Sequence, residues 1–432
     1  MGYISKMKTY EEKIQTLFKP FPKRLGLNTI RISRLLQKLG DPHKTTPPII
    51  HVAGTNGKGS TIAFLKAGLE ANGNKVHVFS SPHLIDIKER ILIAGEKISS
   101  DYFNNLLSTC IEKNENKELS FFELLTAVAF LAFSQNEADW TILEVGLGGR
   151  LDSTNVIERP RLGIITPISM DHEEFLGKSI RKIATEKAGI IKNGGRMIFA
   201  KQEKSVLSIL KNKAKELDCF TIVQDEDFQN VCNDSNLLFT DKEKTISIPK
   251  PNLRGAHQVD NAGLAIAALL DLGCTKQALV DSMINVCWPG RLQKINEGPL
   301  SPTALGFNAE LFVDGAHNPS GGKVIADWSN KQDPSTLFII IGIMKNKNLE
   351  DFLKPFGAII NKLIAIKIPG EINAQDPKII LDACTKLKIP CIAANDLVTA
   401  MQIIKREDTV LPKRILITGS LYLVGKFLEY NS

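Results

Sequence analysis

The stretch "PPIIHVAGTNGKGSTIAFLKAGLEANG", residues 47–73, constrains the fold more than any other part of the chain. A short apolar run rich in isoleucine and valine reads as a buried strand. The glycine-rich loop after it opens directly into a helical pattern that ends at Asn-Gly. Strand, glycine loop and helix in that order turn several backbone N–H groups and the positive end of a helix toward one point, which favours an anion. The spelling of the loop is irregular. A common phosphate loop reads Gly, four residues, then Gly-Lys-Ser/Thr. Here Gly57-Lys58 is followed by Gly59, and Gly54 stands too close to Gly57. The hydroxyl that usually holds magnesium is missing, so any metal must be held from elsewhere.

The rest of the chain repeats the alternation. "KVHVFSS", "WTILEVG", "RLGIITPIS" and "GRMIFAK" read as further strands. The helical patterns "KSIRKIATEKAGIIK" and "SVLSILKNKAKELD" fall among them, and "SFFELLTAVAFLAFSQN" is apolar on most faces and predicts a buried helix. Alternating strands and helices imply a mostly parallel sheet covered on both faces. "LLFTD" and "KTISIP" predict a small antiparallel addition, and two helices, "VDNAGLAIAALLDLG" and "KQALVDSMINVCW", follow it. After "WPGR" and the Pro- and Gly-rich "NEGPLSPTALG", strand and helix patterns start again, from "ELFVDGAHNP" to "RILITGSLYLVG". The expectation is two α/β domains. An N-terminal one, residues 1–290, has a P-loop ATPase-like sheet, and a smaller Rossmann-like one covers 291–432. A length of 432 residues agrees with two cores.

Composition narrows the class. The hydrophobic and charged fractions, 43% and 23%, are those of a globular protein. The net charge of +7 is mild and has no basic block, so no nucleic-acid partner is expected, and anionic small molecules fit equally well. Seven scattered cysteines form no CxxC pair, which argues against a disulfide framework or zinc site and for a reducing compartment. "MGYISKMKTYEEKIQTLF" lacks the apolar centre of a signal peptide. "TAVAFLAF" falls far short of the roughly 20 residues that span a membrane. A cytoplasmic location is expected.

Polar residues at strand ends are the candidates for chemistry, because ligands of open α/β sheets gather there. Ser81 follows "HVFS", Glu144 ends "WTILE" and His172 lies beyond "IITPIS". A carboxylate at the end of an apolar strand is costly unless it is paired or metal-bound. Taken singly, His172 reads equally as a core histidine and Ser81 as a turn hydroxyl. "EVGLGGRLDSTN" offers glycines for close backbone approach, followed by Arg150 and Asp152, which also read as a surface ion pair. Lys187, in "TEKAGIIK", reads on the sequence alone as a solvated helix lysine, and makes sense beside a metal only if its amine loses its charge and takes up carbon dioxide as a carbamate. Asp314, His317 and Asn318 crowd the strand end in "DGAHNP", Arg291 sits at the joint between the halves, and the phenylalanines of "SFFE" can pack in a core or stack on a flat ring.

In aggregate these blocks resemble folylpolyglutamate synthase, including the bacterial form that is also dihydrofolate synthase, of the Mur ligase superfamily. "GTNGKGS", "SSPHL", "SFFELLTAVAF", "LEVGLGGRLDSTN", "ITPISMDHEEFLG", "EKAGII", "RGAHQVDNA", "WPGR", "DGAHNP" and "ILITGSLYLVG" occur in that order from about residue 20 to the end. The resemblance implies ATP on Gly54, Thr55, Asn56, Gly57, Lys58, Gly59 and Ser60, with Asn261, Arg291, Asp314 and His317 also at the nucleotide. It implies magnesium, in two sites, held by Ser81, Glu144, His172 and a carbamylated Lys187. Phe122 and Asp152 would hold the pterin side of the substrate. Catalytic roles would fall to Lys58, Lys187, His172 and Arg291. The implied reaction joins L-glutamate to dihydropteroate or a folate through an acyl phosphate, releasing ADP and phosphate, in a monomer. "GIMKNKN" departs from the family, which commonly reads Lys-Asp there, so no role is carried over to it. The segment "KRLGLNTIRISRLL" is expected to help form the pterin pocket. Two other readings remain open at this point: another Mur-type amino-acid ligase, and a nucleotide-gated switch without ligation.

Overall fold

The structure is a computed structural model, and it describes residues 21, 26–233 and 235–432. The opening segment read above for a signal peptide, and the first part of "KRLGLNTIRISRLL", lie outside the described residues. In chain order the first eight strands are β1 (Ile49–Ala53), β2 (Val76–Phe79), β3 (Ile91–Ile93), β4 (Glu96–Lys97), β5 (Trp140–Glu144), β6 (Leu162–Ile165), β7 (Arg196–Phe199) and β8 (Phe220–Val223). They form one sheet in the order β4-β3-β2-β5-β1-β6-β7-β8. The pairings from β2 to β8 are parallel, and the β2–β3 and β3–β4 pairs are antiparallel.

Strand β1 is buried along its whole length, His51 at its centre included. Its alternate side chains feed two cores. Ile50 and Val52 pack among the helices Lys58–Ala71, Ala256–Asp271 and Lys276–Asn285. Ile49 packs on the other side with the helices Ile30–Lys38, Ser100–Asn114 and Phe121–Ser134. The last of these is buried from Glu123 to Phe133.

Strands β9 (Phe228–Cys232), β10 (Asn236–Asp241) and β11 (Thr245–Pro249) make the small antiparallel sheet. The two helices that follow return to cover the helix after the glycine loop. Ser282 Oγ donates to the Phe64 carbonyl at 2.7 Å.

A second α/β unit begins with β12 (Gln293–Ile295). It continues through β13 (Ala309–Val313), β14 (Thr336–Ile341), β15 (Ile360–Ala365), β16 (Cys391–Ala393) and β17 (Lys413–Thr418). The order is β12-β13-β17-β14-β15-β16, parallel except for β12. Two apolar cores, one on each face, fill it. Among the described residues no helix is long and apolar enough to cross a membrane. All seven cysteines are free.

Candidate active site

Adjacent strands β2, β5, β1 and β6 end on one edge of the first sheet. The chain leaves them through Ser81, Glu144, the loop 54–57 and the segment that reaches His172. Parallel pairing sets their level. Val52 lies opposite Glu144, and Ala53 opposite Ile165.

The glycine loop closes by contact with three other segments. Gly57 caps the helix Lys58–Ala71 with a φ of 87°, a left-handed conformation that favours glycine. A Cβ there would overlap Asn261 Oδ1. A Cβ at Gly59 would lie 2.5 Å from Trp288 Nε1, so the indole of "WPGR" fills the space of the absent hydroxyl side chain. Asn261, 4% exposed, donates to Gln258 Oε1 at 3.0 Å. Ser60 is buried in the first turn.

Two lysines converge on one carbonyl. Lys58 Nζ donates to the Gly54 and Thr55 carbonyls, each at 3.2 Å. Lys187, from the helix Ile180–Ala188, donates to the same Gly54 carbonyl at 2.7 Å. It is 5% exposed, and burial together with the Lys58 charge pushes its pKa down to about 7. Two amines thus flank one carbonyl, a setting that favours an anion beside them.

Glu144 is buried. Its Oε2 accepts the Ser81 backbone N–H at 2.8 Å, and its Oε1 lies 3.9 Å from Lys58 Nζ. Burial raises its pKa, opposed by Lys58, the Ser81 N–H and Arg291. Arg291 faces Glu144 from the other unit. Burial lowers its pKa, while Asp314 and Glu144 raise it. Asp314 accepts the N–H groups of Leu292 and Ala316, each at 2.8 Å, and so pins the start of the second unit to the end of β13.

The segment after β6 carries a residue that the motifs did not single out. Asp171, whose side chain is 8% exposed, accepts Lys347 Nζ at 2.6 Å and Asn318 Nδ2 at 3.1 Å. His317 Nε2 lies 3.5 Å from it and His172 Nε2 3.9 Å. Its Oδ1 also accepts the His172 backbone N–H at 2.8 Å, and His172 sits at a φ of 53°. Burial would raise the Asp171 pKa, but the His317 hydrogen bond and the Lys347 ammonium bring it far below the usual range. His172 keeps its ring partly open, 38% exposed. Loss of solvation and the nearby Lys347 hold it neutral. His317 Nδ1 lies 2.8 Å from the Gly315 carbonyl. Asn56 of the glycine loop and Asn318 exchange side-chain hydrogen bonds at 3.0 and 3.3 Å.

The two residues expected at the pterin side lie elsewhere on the same edge. Phe122, in the first turn of the helix Phe121–Ser134, stacks on Phe79 at 5.6 Å and rests against Gly146. That turn is fixed by a capping box between Ser120 and Glu123, and Glu123 also pairs with Arg31 at 3.1 Å. Asp152 is buried and bound within its own loop. It accepts from Leu147 N at 2.8 Å and from Thr154 N and Oγ1 at 3.0 and 2.6 Å. Arg150 does not pair with it but with Glu186, at 2.8 Å.

Among the described residues no three His, Cys, Asp or Glu side chains gather as a metal cage. The donors on this edge are of mixed type: a serine, one carboxylate, one neutral imidazole and a buried lysine. Glu144 is a desolvated carboxylate with a cation only at 3.9 Å, and His172 has a neutral, accessible ring, so both fit an oxygen- and nitrogen-ligated divalent ion. A surface cleft of about 890 Å³ in the second unit, lined by residues such as Lys367, Ile372 and Tyr430, contains none of the strand-end residues.

The family model described as the Mur ligase middle domain matches residues 52–269, and that described as the dihydrofolate synthetase C-terminal domain matches 303–430. The dihydrofolate synthase/folylpolyglutamate synthase of Bacillus subtilis is 32% identical, over 91% of this chain and 93% of its own. The solved structure of E. coli FolC in complex with DHPP and ADP superposes with a TM-score of 0.87 at 26% identity, covering 98% of this chain and 97% of the other. A bifunctional folylpolyglutamate synthase/dihydrofolate synthase solved with Mn, AMPPNP and L-glutamate bound gives 0.85 at 25% identity, covering 98% of each.

Proposed function

This chain belongs to the Mur ligase family, and on that premise we propose how its residues perform ATP-dependent ligation of L-glutamate to a pterin substrate. The observation that carries the reading is the strand-end cluster. A phosphate loop, a buried carboxylate, a buried lysine of lowered pKa and a second α/β unit face one another there.

The loop 54–60 holds the ATP phosphates with backbone N–H groups, and Lys58 places one positive charge on them. Arg291, Asn261, Asp314 and His317 complete the nucleotide site from the joint. Ser81, Glu144 and His172 hold a magnesium ion, which when bound offsets charge on the phosphoryl oxygens. Lys187, as its carbamate, supplies an anion where two amines now crowd the Gly54 carbonyl. The substrate carboxylate attacks the terminal phosphorus of ATP, giving an acyl phosphate and ADP. The amine of glutamate then attacks the acyl carbon, and phosphate leaves, with the amine proton lost to solvent. Lys58 and Arg291 oppose the charge that develops on the transferring group.

Phe122 and Asp152 belong to the pterin side, with Phe122 offering a ring face and Asp152 holding the shape of the loop 146–154. Both dihydropteroate and tetrahydrofolate are substrates in this reading. The protein acts as a cytoplasmic monomer divided near Gly290. Lys58→Ala tests the core of the proposal. In the presence of dihydropteroate and glutamate the variant forms no ADP above background, and wild-type rates of ADP formation would overturn the assignment.

A further inference from the structure

We propose that Asp171 and Lys347 form an interdomain latch that keeps water from the acyl phosphate; this rests on the ligase reading above. Asp171 stands next to His172 on the first unit, and Lys347 reaches it from the segment "GIMKNKN" of the second. Their side chains are 8% and 9% exposed, so the pair is closed off from solvent.

Around the pair, further contacts cross the same gap. Asn318 donates to Asp171 at 3.1 Å, and His317 approaches it at 3.5 Å. Asn318 also bonds Asn56 of the phosphate loop. Asn346 donates to Glu174 Oε1 at 3.3 Å, two residues beyond His172. Asn348 is occupied in capping the helix Leu349–Leu353, accepting the Asp351 N–H at 3.2 Å. The segment that lacks the family's acidic residue is therefore seated, by Lys347 and Asn346, on the segment that carries His172.

One carboxylate thus collects a lysine, an amide and an imidazole from the second unit, and it fixes the backbone N–H of His172 on its own. A buried ion pair adds little net stability against apolar replacement, yet losing one partner leaves an uncompensated charge. Such a pair defines one closed geometry. Closure matters here because an acyl phosphate is open to hydrolysis by any water that reaches it before the amine does. Attack by water returns the free carboxylic acid and phosphate, so ATP is spent with no amide formed. Asp171 is a positioning residue in this scheme and touches no reacting atom.

The test measures ADP formed per glutamate incorporated, with dihydropteroate, in wild type, Asp171→Asn, Lys347→Gln and the double variant. ADP affinity serves as the check that the nucleotide site is intact. The expected result is about one ADP per glutamyl unit in wild type and a clearly higher ratio in both single variants. The rate of amide formation falls on the order of 10²-fold, as for a misplacement of about 1 Å. The double variant is no worse than the poorer single one, because the two residues act as a unit. An unchanged ratio in both single variants overturns the latch, whatever happens to the rate. Loss of ADP binding in both variants also overturns it, since the pair would then hold the fold and not the closure. Absence of glutamate incorporation in wild type would instead sink the ligase reading.

Discussion

Lys58 and Lys187 aim their amines at the same carbonyl, that of Gly54, and this is the least expected feature at the level of single residues. Neutral amine is what combines with carbon dioxide, so carbamate forms as pH rises through about 7 and is lost below it. Wild-type protein stripped of carbon dioxide and bicarbonate should lose activity and regain it when bicarbonate is added at pH 8, with far less recovery at pH 6. Lys187→Ala should show no bicarbonate response at either pH. The metal assignment has its own test. Glu144→Gln should weaken Mn²⁺ binding by at least the 10–100-fold, roughly, that loss of an outer-shell partner costs, measured by paramagnetic titration. Ser60→Ala should change it little, because the loop has given the metal task to other strand ends. A larger loss at Ser60 than at Glu144 would reverse that division of labour.

Among the elements, the helix after β1 explains the odd spelling of its loop. Gly59 is small because Trp288 occupies the space in front of it. Gly59→Ser would push into the indole, and overpacking of this kind costs about 1–3 kcal/mol. Thermal unfolding should detect that loss, and Trp288→Ala in the same chain should relieve most of it. Strand β1 also carries His51, fully buried and held at a pKa of about 3 by burial and Lys192, with Nε2 2.9 Å from Thr154 Oγ1. His257 is held at about 4 by burial and Arg291. Both pKa values lie below the ordinary 6.5, so the unfolded chain binds more protons between these limits. Stability therefore falls as pH drops below about 6.5, by about 1.4 kcal/mol per pH unit for each histidine. Denaturant midpoints should fall between pH 7 and pH 4, and His51→Gln should make that fall shallower by the His51 share. β14, with its long apolar run, was legible from pattern alone, and β1 from its isoleucines and valine before a glycine loop. Strands β4, β12 and β16 have two or three residues each and no pattern of their own, and pairing with a neighbour creates them.

At the scale of the whole molecule, the division into two α/β units and the gathering of Ser81, Glu144 and His172 on one edge could be read from strand ends alone. The contacts between the units could not. Asp171 stood beside a recognised histidine, and Lys347 lay in a block whose neighbours departed from the family. Their pairing depends on residues 176 positions apart, for which a single sequence carries no period. Asp152 is similar: its charge was visible, but its service to the backbone of its own loop was not. The central claim, that this chain joins glutamate to a pterin acid, is tested most directly by ATP-dependent incorporation of L-glutamate, followed by mass spectrometry. Dihydropteroate and tetrahydrofolate are assayed in parallel. A gain of one glutamyl unit on dihydropteroate, and of one or more on tetrahydrofolate, each matched by ADP and phosphate, is the predicted result. ATP consumption without any glutamyl product on either substrate would contradict it.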